Sequence, residues 1–455
     1  MSMKKSKSSL GTLLAIGAVV GGSFFVYGSS MFERDLPQVK VNNNGYWNLK
    51  DSIALAMNDA SGIKSYKVTL KTQNEEILLK DEHFLAPQMD VELNLKPPRS
   101  AYTIKDEIVT LVIEATDASK WNFFKGNSIT YERNINIDKK RPQVSIVTNS
   151  YKISRGGAAT VIFYADDKNL EELYIETNYG KKFKPQPFYK EGYYISLLAW
   201  DLKSSNFKAN VVAKDLAGNS AKSYVPLYLK EKNYKISNIT LSDRFLKGKI
   251  ADLAEEFAQT QGVSAPLEQF KIINEDVRAK NEELIHKITS KVSDERIDDF
   301  NVNKMYPLRN GQVVAHFGDH RKYFYDSDFV SEAYHMGLDL ASNSMANITP
   351  QNGGDVVYAE YNGLYGNMPI VDHGLGLYTL YGHCSTLSTN SGSQLRSGEV
   401  IAKTGKTGYA MGDHLHFGVL VQGVEVRPQE WMDKDWIRLN VSNVIKKAKK
   451  IIDRN

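Results

Sequence analysis

A chain of 455 residues with 42% hydrophobic content has room for about three domains with genuine cores. Its net charge of +4 is too mild to argue for a nucleic-acid partner, and none is expected. Cys384 is the sole cysteine, which excludes an intramolecular disulfide. Set in an alternating run beside His383, it reads as a small buried side chain rather than as a ligand or nucleophile.

At the start, Lys4, Lys5 and Lys7 precede an uncharged run over 8–32 that includes Leu13, Leu14, Ile16, Val19, Val20, Phe24, Phe25 and Val26. A helix of about 20 apolar residues crosses a bilayer, with the lysines cytoplasmic and the remainder exported. Residues 1–34 are therefore read as a cytoplasmic tail and a single transmembrane helix. A cleaved signal peptide ending near Val26-Tyr27-Gly28 is the competing reading. The apolar stretch is long for a signal core, which favours the uncleaved anchor.

From about Asn42 to Leu241 the pattern is that of strands, with a weak internal repeat. Val112-Ile113-Glu114-Ala115-Thr116-Asp117 leads to Gly126-Asn127-Ser128, and Val211-Val212-Ala213-Lys214-Asp215 leads to Gly218-Asn219-Ser220. Each is an alternating strand that runs into a turn. The period of about 100 residues suits a β-sandwich, with copies at 42–142 and 143–241. The pattern resembles the immunoglobulin-like modules of many bacterial surface proteins. The first copy alone carries the insertion Trp121-Asn122-Phe123-Phe124, apolar enough for either a buried flap or a contact surface. A helical section is expected over 242–301. Leu246, Ile250, Leu253 and Phe257 recur at helical spacing after a cap at Asp243, and Phe270, Ile273, Val277, Leu284 and Ile288 line a second helix. It is read either as a plain connector or as a wall that limits access to a neighbouring cleft.

The last third holds seven of the nine histidines: His316, His320, His335, His373, His383, His414 and His416. In an extended strand, alternate residues share a face. That puts His335, Gly337 and Asp339 on one side of Tyr334–Leu340, with Met336, Leu338 and Leu340 on the other. It likewise puts His414 with His416, and Leu415 with Phe417. Two imidazoles and one carboxylate suit zinc with an open fourth position, as in catalytic rather than structural sites.

His335-x-Gly-x-Asp339, then Tyr-x-His383, then His414-Leu-His416-Phe resemble the lysostaphin-type (LytM-like) zinc endopeptidases. The likeness runs from about Met305 to Leu439 and includes Ile370-Val371-Asp372-His373-Gly374 and Gly405-Lys406-Thr407-Gly408. It implies that His335, Asp339 and His416 hold Zn2+, that His383 and His414 flank the water as catalytic groups, and that the substrate is peptidoglycan. The His414 stretch is further similar to the cell-shape endopeptidases of curved and helical bacteria. Between Tyr409 and Asp413 the chain departs from the family's small hydroxyl residues and proline, which bears on substrate preference. Asp413 reads as a turn residue.

The expected architecture is thus mainly β: a transmembrane helix, two immunoglobulin-like sandwiches, a helical linker, an antiparallel peptidase domain over 302–440, and a basic helix or tail at 441–455. The expected function is hydrolysis of peptidoglycan cross-links in cell-wall remodelling, from an inner-membrane anchor with the bulk of the chain in a Gram-negative periplasm. Two alternatives stand beside it. One is a non-catalytic regulator acting on other wall-remodelling proteins; the other is a wall-binding surface protein.

Overall fold

The computed structural model describes residues 8–454, so Lys4, Lys5 and Lys7 lie outside the described residues. The chain is mainly β and divides into two compact units. One takes in the chain to Pro142 with Asn169–Glu171 and Lys214–Ser220; the other takes in Gln143–Lys168, Glu172–Ala213 and Ala221 onward.

In the first unit, helix α1 spans Ser8–Gly28. Its stretch Gly11–Gly28 is long and apolar enough to cross a membrane, a property that anchors and signal sequences share. Strands β1 (Gln38–Asn42), β2 (Tyr46–Trp47), β3 (Ile53–Lys71), β4 (Glu76–Leu95), β5 (Ile108–Asp117) and β6 (Ser128–Ile137) form one sheet in the order β1-β3-β5-β6-β2, with β4 along β3. A pair of separate sheets is not what these residues make. At 19 and 20 residues, β3 and β4 are too long to stay in one plane. The register of β3 breaks between Asn58 and Ser65. Its first half therefore pairs with β1 and its second half with β5. Leu55, Met57, Val68, Leu70, Leu111 and Ile113 close on one core.

In the second half of the repeat, two four-stranded sheets share one core. One runs Lys182–Phe183, Leu170–Thr177, Ala209–Asp215, Ser220–Tyr224; the other runs Gln186–Pro187, Tyr193–Ala199, Ala158–Asp166, Gln143–Asn149. The repeat seen in the sequence has a physical basis. Asp117 accepts hydrogen bonds from Asn127 N at 2.7 Å and Nδ2 at 2.8 Å. Asp215 accepts the same pair from Asn219, at 2.8 and 2.9 Å.

The helical section starts at Ser242, not Asp243: the Ser242 side chain caps Phe245 N, and Asp243 is the first helical residue, bonded to Lys247. From Pro266 to Thr289 the chain is helical with a π turn at Ile273–Val277. The extra residue in that turn rotates everything after it. Ile285 is therefore the buried residue at 1% exposure, and the expected Leu284 stands 37% exposed.

The C-terminal domain is built on an eight-stranded antiparallel sheet. Its order is Gln312–Ala315, Leu338–Ala341, Leu415–Val421, Leu377–Gly382, Asn367–Asp372, Gly354–Tyr361 and Gln394–Leu395, with Val424–Val426 on Leu415–Val421. Leu415, Phe417, Val419 and Val421 point to one face. There they join a core with Trp431 and the amphipathic helix Asn443–Ile452, whose Val444, Ile445, Ala448 and Ile452 are buried. The second-sandwich residues Phe163 and Phe183 belong to that same core. The other face, with Leu420, Leu380, Tyr378 and Ile370, is covered by Leu246, Ile250, Phe270, Ile273 and Ile285 of the helical section.

Candidate metal centre

His416 lies on the helix-covered face, two residues from Leu420's neighbour Gly418, at the end the helices leave open. It pairs directly with Asp339 on one side and with Gly382 on the other. His335 does not share a strand with Asp339. The strand Asp328–Tyr334 belongs to a three-stranded sheet and Leu338–Ala341 to the eight-stranded one. The chain crosses between sheets at 335–337, and this break puts Met336, expected on the face of Leu338 and Leu340, in the wall of the cleft.

Three side-chain atoms converge. His335 Nε2 stands 3.0 Å from Asp339 Oδ1 and 3.1 Å from His416 Nδ1, and His416 Nδ1 stands 2.9 Å from Asp339 Oδ1. Tetrahedral ligand atoms on a zinc ion stand about 3.3 Å apart, given bonds near 2.0–2.1 Å, so the triangle fits one face of that polyhedron to a few tenths of an ångström. The tautomers fit as well. His335 Nδ1 donates to the His316 carbonyl at 2.9 Å, which leaves Nε2 as a bare lone pair facing the centre. Burial alone would raise the Asp339 carboxyl. The imidazoles of His335 and His416 reverse this and hold it well below the ordinary carboxylate value, as a ligand requires.

Gly337 explains why glycine separates the first two residues. A Cβ there would sit 2.5 Å from Cε1 and Nε2 of His416 and 2.9 Å from the Phe417 carbonyl oxygen. The His416 ring occupies the space a side chain would need. Tyr365 packs edge-on against its other side at 5.4 Å.

His383 and His414 stand beside this triangle, their ring centroids 4.8 Å apart. His383 Nδ1 donates to the Thr407 carbonyl at 2.9 Å and His414 Nδ1 to the Gly412 carbonyl at 2.8 Å, so each presents Nε2. His414 Nε2 lies 3.7 Å from Asp339 Oδ2. Burial first, then His416 and His414, push the His383 pKa down to about 3, so its ring is neutral across the physiological range. The residue has a left-handed backbone (φ 65°), a strained conformation held by its N–H donating to the Tyr365 carbonyl at 2.7 Å.

Other sequence candidates fall elsewhere. His316 supplies only its carbonyl to the cluster, and His320 stacks on Tyr334 at 4.3 Å and pairs with Glu332. Asp413 accepts from Thr404 Oγ1 at 2.6 Å and from Met345 N at 3.1 Å, so it ties the turn rather than a histidine. Cys384 is fully buried, with its thiol pushed up to about 12. Tyr409, which opens the stretch read as bearing on substrate preference, lines the same cleft, and sequence reasoning missed Arg278, Arg321 and Tyr365, which line it too. Arg278 comes from the helical section and carries no motif; only the fold brings it here.

Residues 333–428 match peptidase family M23. Over 94 residues, 21% of this chain and 22% of the relative, the sequence is 35% identical to the DD-carboxypeptidase/endopeptidase Mpg of Neisseria meningitidis. Over 110 residues, 24% of this chain and 26% of the relative, it is 29% identical to the murein hydrolase activator EnvC of Escherichia coli. The catalytic domain of the antimicrobial peptidase lysostaphin from Staphylococcus simulans aligns at a TM-score of 0.23 and 23% identity, covering 27% of this chain and 92% of that one. The chain spans about a quarter or less of the length of the two curated relatives. Its C-terminal domain is a peptidase family M23 domain.

Proposed function

We propose that this chain is a membrane-anchored zinc endopeptidase that hydrolyses peptide cross-links of bacterial peptidoglycan. The reading is carried by three ligand atoms lying within 3.1 Å of one another, beside two imidazoles that aim Nε2 at the same space. His335, Asp339 and His416 hold Zn2+ in this reading. Bound zinc supplies Lewis acidity, which brings the pKa of a water to about 7 and polarises a carbonyl. His383 and His414, each presenting Nε2 to the cleft, would take a proton from the attacking water, donate a hydrogen bond to the oxyanion that develops on the scissile carbonyl, and pass the proton to the leaving amine as the C–N bond breaks. Arg278 and Arg321 line the cleft, each beside a carboxylate of the chain (Glu282 at 4.0 Å and Asp319 at 3.5 Å), and their remaining donors suit a peptide that carries carboxylates. That supports the cross-link between D-alanine and diaminopimelate as the scissile bond.

In the same reading, residues 1–34 stay in the inner membrane and hold the rest in the periplasm, where the enzyme remodels the wall and contributes to cell shape. Two four-stranded sheets over one core support an immunoglobulin-like module at 143–241; at 42–142, where one bent sheet closes on its own core instead, the shared Asp–Asn lock is what supports a related module. Residues 242–301 are a linker that doubles as a cleft wall, followed by the peptidase at 302–440 and the helix of 441–455.

The likeness to an activator favours a second reading, a non-catalytic regulator of other wall hydrolases. The test measures zinc per chain and muropeptide release from sacculi for the full chain and three variants. His416→Ala is expected to lose zinc and activity together. His414→Ala and His383→Ala are expected to keep most of the zinc and lose turnover by about a hundredfold or more. A parent chain that binds no stoichiometric zinc and releases nothing establishes the regulator. A metal-free His414→Ala beside a fully loaded His416→Ala overturns the assignment of roles.

A further inference from the structure

We infer that the insertion Trp121-Asn122-Phe123-Phe124 is a membrane-interface foot, seated in the headgroup boundary of the bilayer that α1 crosses. The inference rests on the reading of α1 as a retained anchor. At about 1.5 Å per residue, a 21-residue helix spans about 31 Å, close to the thickness of a hydrocarbon core. The outer boundary therefore falls at the last turn of α1 and just past Gly28.

The insertion is pinned at that depth. Lys120 N donates to the Met31 carbonyl at 2.8 Å, and Ser119 Oγ donates to the Glu33 carbonyl at 2.7 Å. Phe32 lies edge-on to Phe25 of the helix at 6.2 Å and to Phe124 of the insertion at 6.4 Å. The Arg34 guanidinium sits over both Tyr27 at 4.3 Å and Trp121 at 4.4 Å. A tryptophan, a tyrosine and an arginine bound together at a helix exit are the usual residues of a bilayer interface.

A plain surface turn would be built otherwise. Asn122, Phe123 and Phe124 all have left-handed backbones, with φ of 50°, 55° and 68°. Turns place glycine, asparagine or aspartate in that region, because bulkier residues are sterically opposed there. Here the strain directs two phenyl rings outward, Phe123 92% exposed and Phe124 69% exposed. Water is a poor partner for that pair, and the headgroup boundary is a good one. Exposed Lys120 and Lys125 at the two ends of the loop suit the phosphates of the same surface. With α1, the foot gives the first module two attachments to one bilayer, which restrains its swivel about the helix.

The full chain in vesicles containing doxyl-labelled lipids provides the test. A single cysteine is introduced at Asn122→Cys, Phe25→Cys or Asn74→Cys and labelled with an environment-sensitive fluorophore. Buried Cys384 stays unlabelled in the folded protein. Asn74 is an exposed turn residue about 30 Å along the strand from Asp117, at the rise of a β-strand. The label at 122 is expected to be quenched to within about twofold of the label at 25, and the label at 74 not at all. Adding Phe123→Ser and Phe124→Ser is expected to abolish quenching at 122 and leave it intact at 25. Strong quenching at 25 with none at 122 overturns the foot and keeps the anchor. No quenching at 25 removes the anchor and the foot with it. A label at 122 shielded in detergent in proportion to protein concentration assigns the patch to a second copy and also overturns the proposal.

Discussion

Replacing Gly337 by alanine tests the metal centre without touching a ligand. The new Cβ would lie 2.5 Å from two atoms of the His416 ring and 2.9 Å from the Phe417 carbonyl oxygen. Ordinary contact between carbon atoms needs about 3.5 Å, so the ring must withdraw by about 1 Å. It has little room to do so: Tyr365 stands against its other side, and Phe417 is fully buried with its backbone in the central ladder. Overpacking of this kind costs about 1–3 kcal/mol. Metal sites tolerate ligand displacements of only about 0.2 Å, so the same shift also degrades the coordination geometry. The expected result is a zinc affinity lower by about fivefold to about 140-fold, at 1.4 kcal/mol per decade. The assay is chelator competition for zinc on parent and variant, with urea unfolding of both in EDTA to isolate the effect on the metal-free fold. A variant that kept parental zinc affinity and parental metal-free stability would refute the account of why glycine stands there.

Glu430 is buried behind the sheet, where burial outweighs the Ala158 N–H and Arg427 and raises its pKa from 4.5 to about 7. Its contribution is therefore fully present below pH 4.5 and lost as the pH rises through 7, by about 3 kcal/mol at 1.36 kcal/mol per unit; the stability difference between parent and Glu430→Gln should change by that order across the window, and a constant difference would refute it. Removing metal with EDTA should lower the melting temperature of the parent, because only the folded state binds it; His335→Ala should melt alike with and without EDTA, and a persistent EDTA effect would place the metal elsewhere. Phe270→Ala, which empties a fully buried site edge-on to Tyr323 at 5.1 Å, should cost about 3–5 kcal/mol in urea unfolding; a loss under about 1 kcal/mol would show that the helical section is not part of the domain core.

Period-two alternation made the strand Leu415–Val421 legible, because a strand inside one sheet keeps strict faces: Leu415 and Phe417 are fully buried on one, His416 turns to the other. The same rule failed at Tyr334–Leu340, where the chain changes sheets and the alternation is interrupted between His335 and Leu338. Nothing in seven residues announces such a break, since polar and apolar residues go on alternating through it. Helical spacing located the section from Pro266 but put Leu284 inside in place of Ile285, because a π turn adds a residue to the phase without leaving a mark in composition. The long strands β3 and β4 merged what looked like separate sheets, since pairing register across a bend depends on partners distant in the chain.

The division of the sheet's second face then explains how one domain is both rigid and open. Leu420, Leu380 and Tyr378 lie under the helical section, while His416 and Gly382, on the same two strands, are left uncovered. The backbone that carries Asp339 and His416, the proposed ligands, is thus part of the continuous ladder, and their side chains lie at its uncovered end. Arg278 sits at the boundary, just past the π turn, with its guanidinium bonded back to Asn274 and 5.9 Å from the Tyr409 ring. Asn274 in turn donates to Ser331 on the strand that ends next to His335. A guanidinium fixed at both its root and its face presents charge to the cleft with little entropy left to lose on binding. The matched family segment, 333–428, contains the His335, Asp339 and His416 cluster and Tyr409, but not Arg278. On the proposed function, a change at Arg278 is therefore expected to alter which ligand enters the cleft without displacing His335, Asp339 or His416.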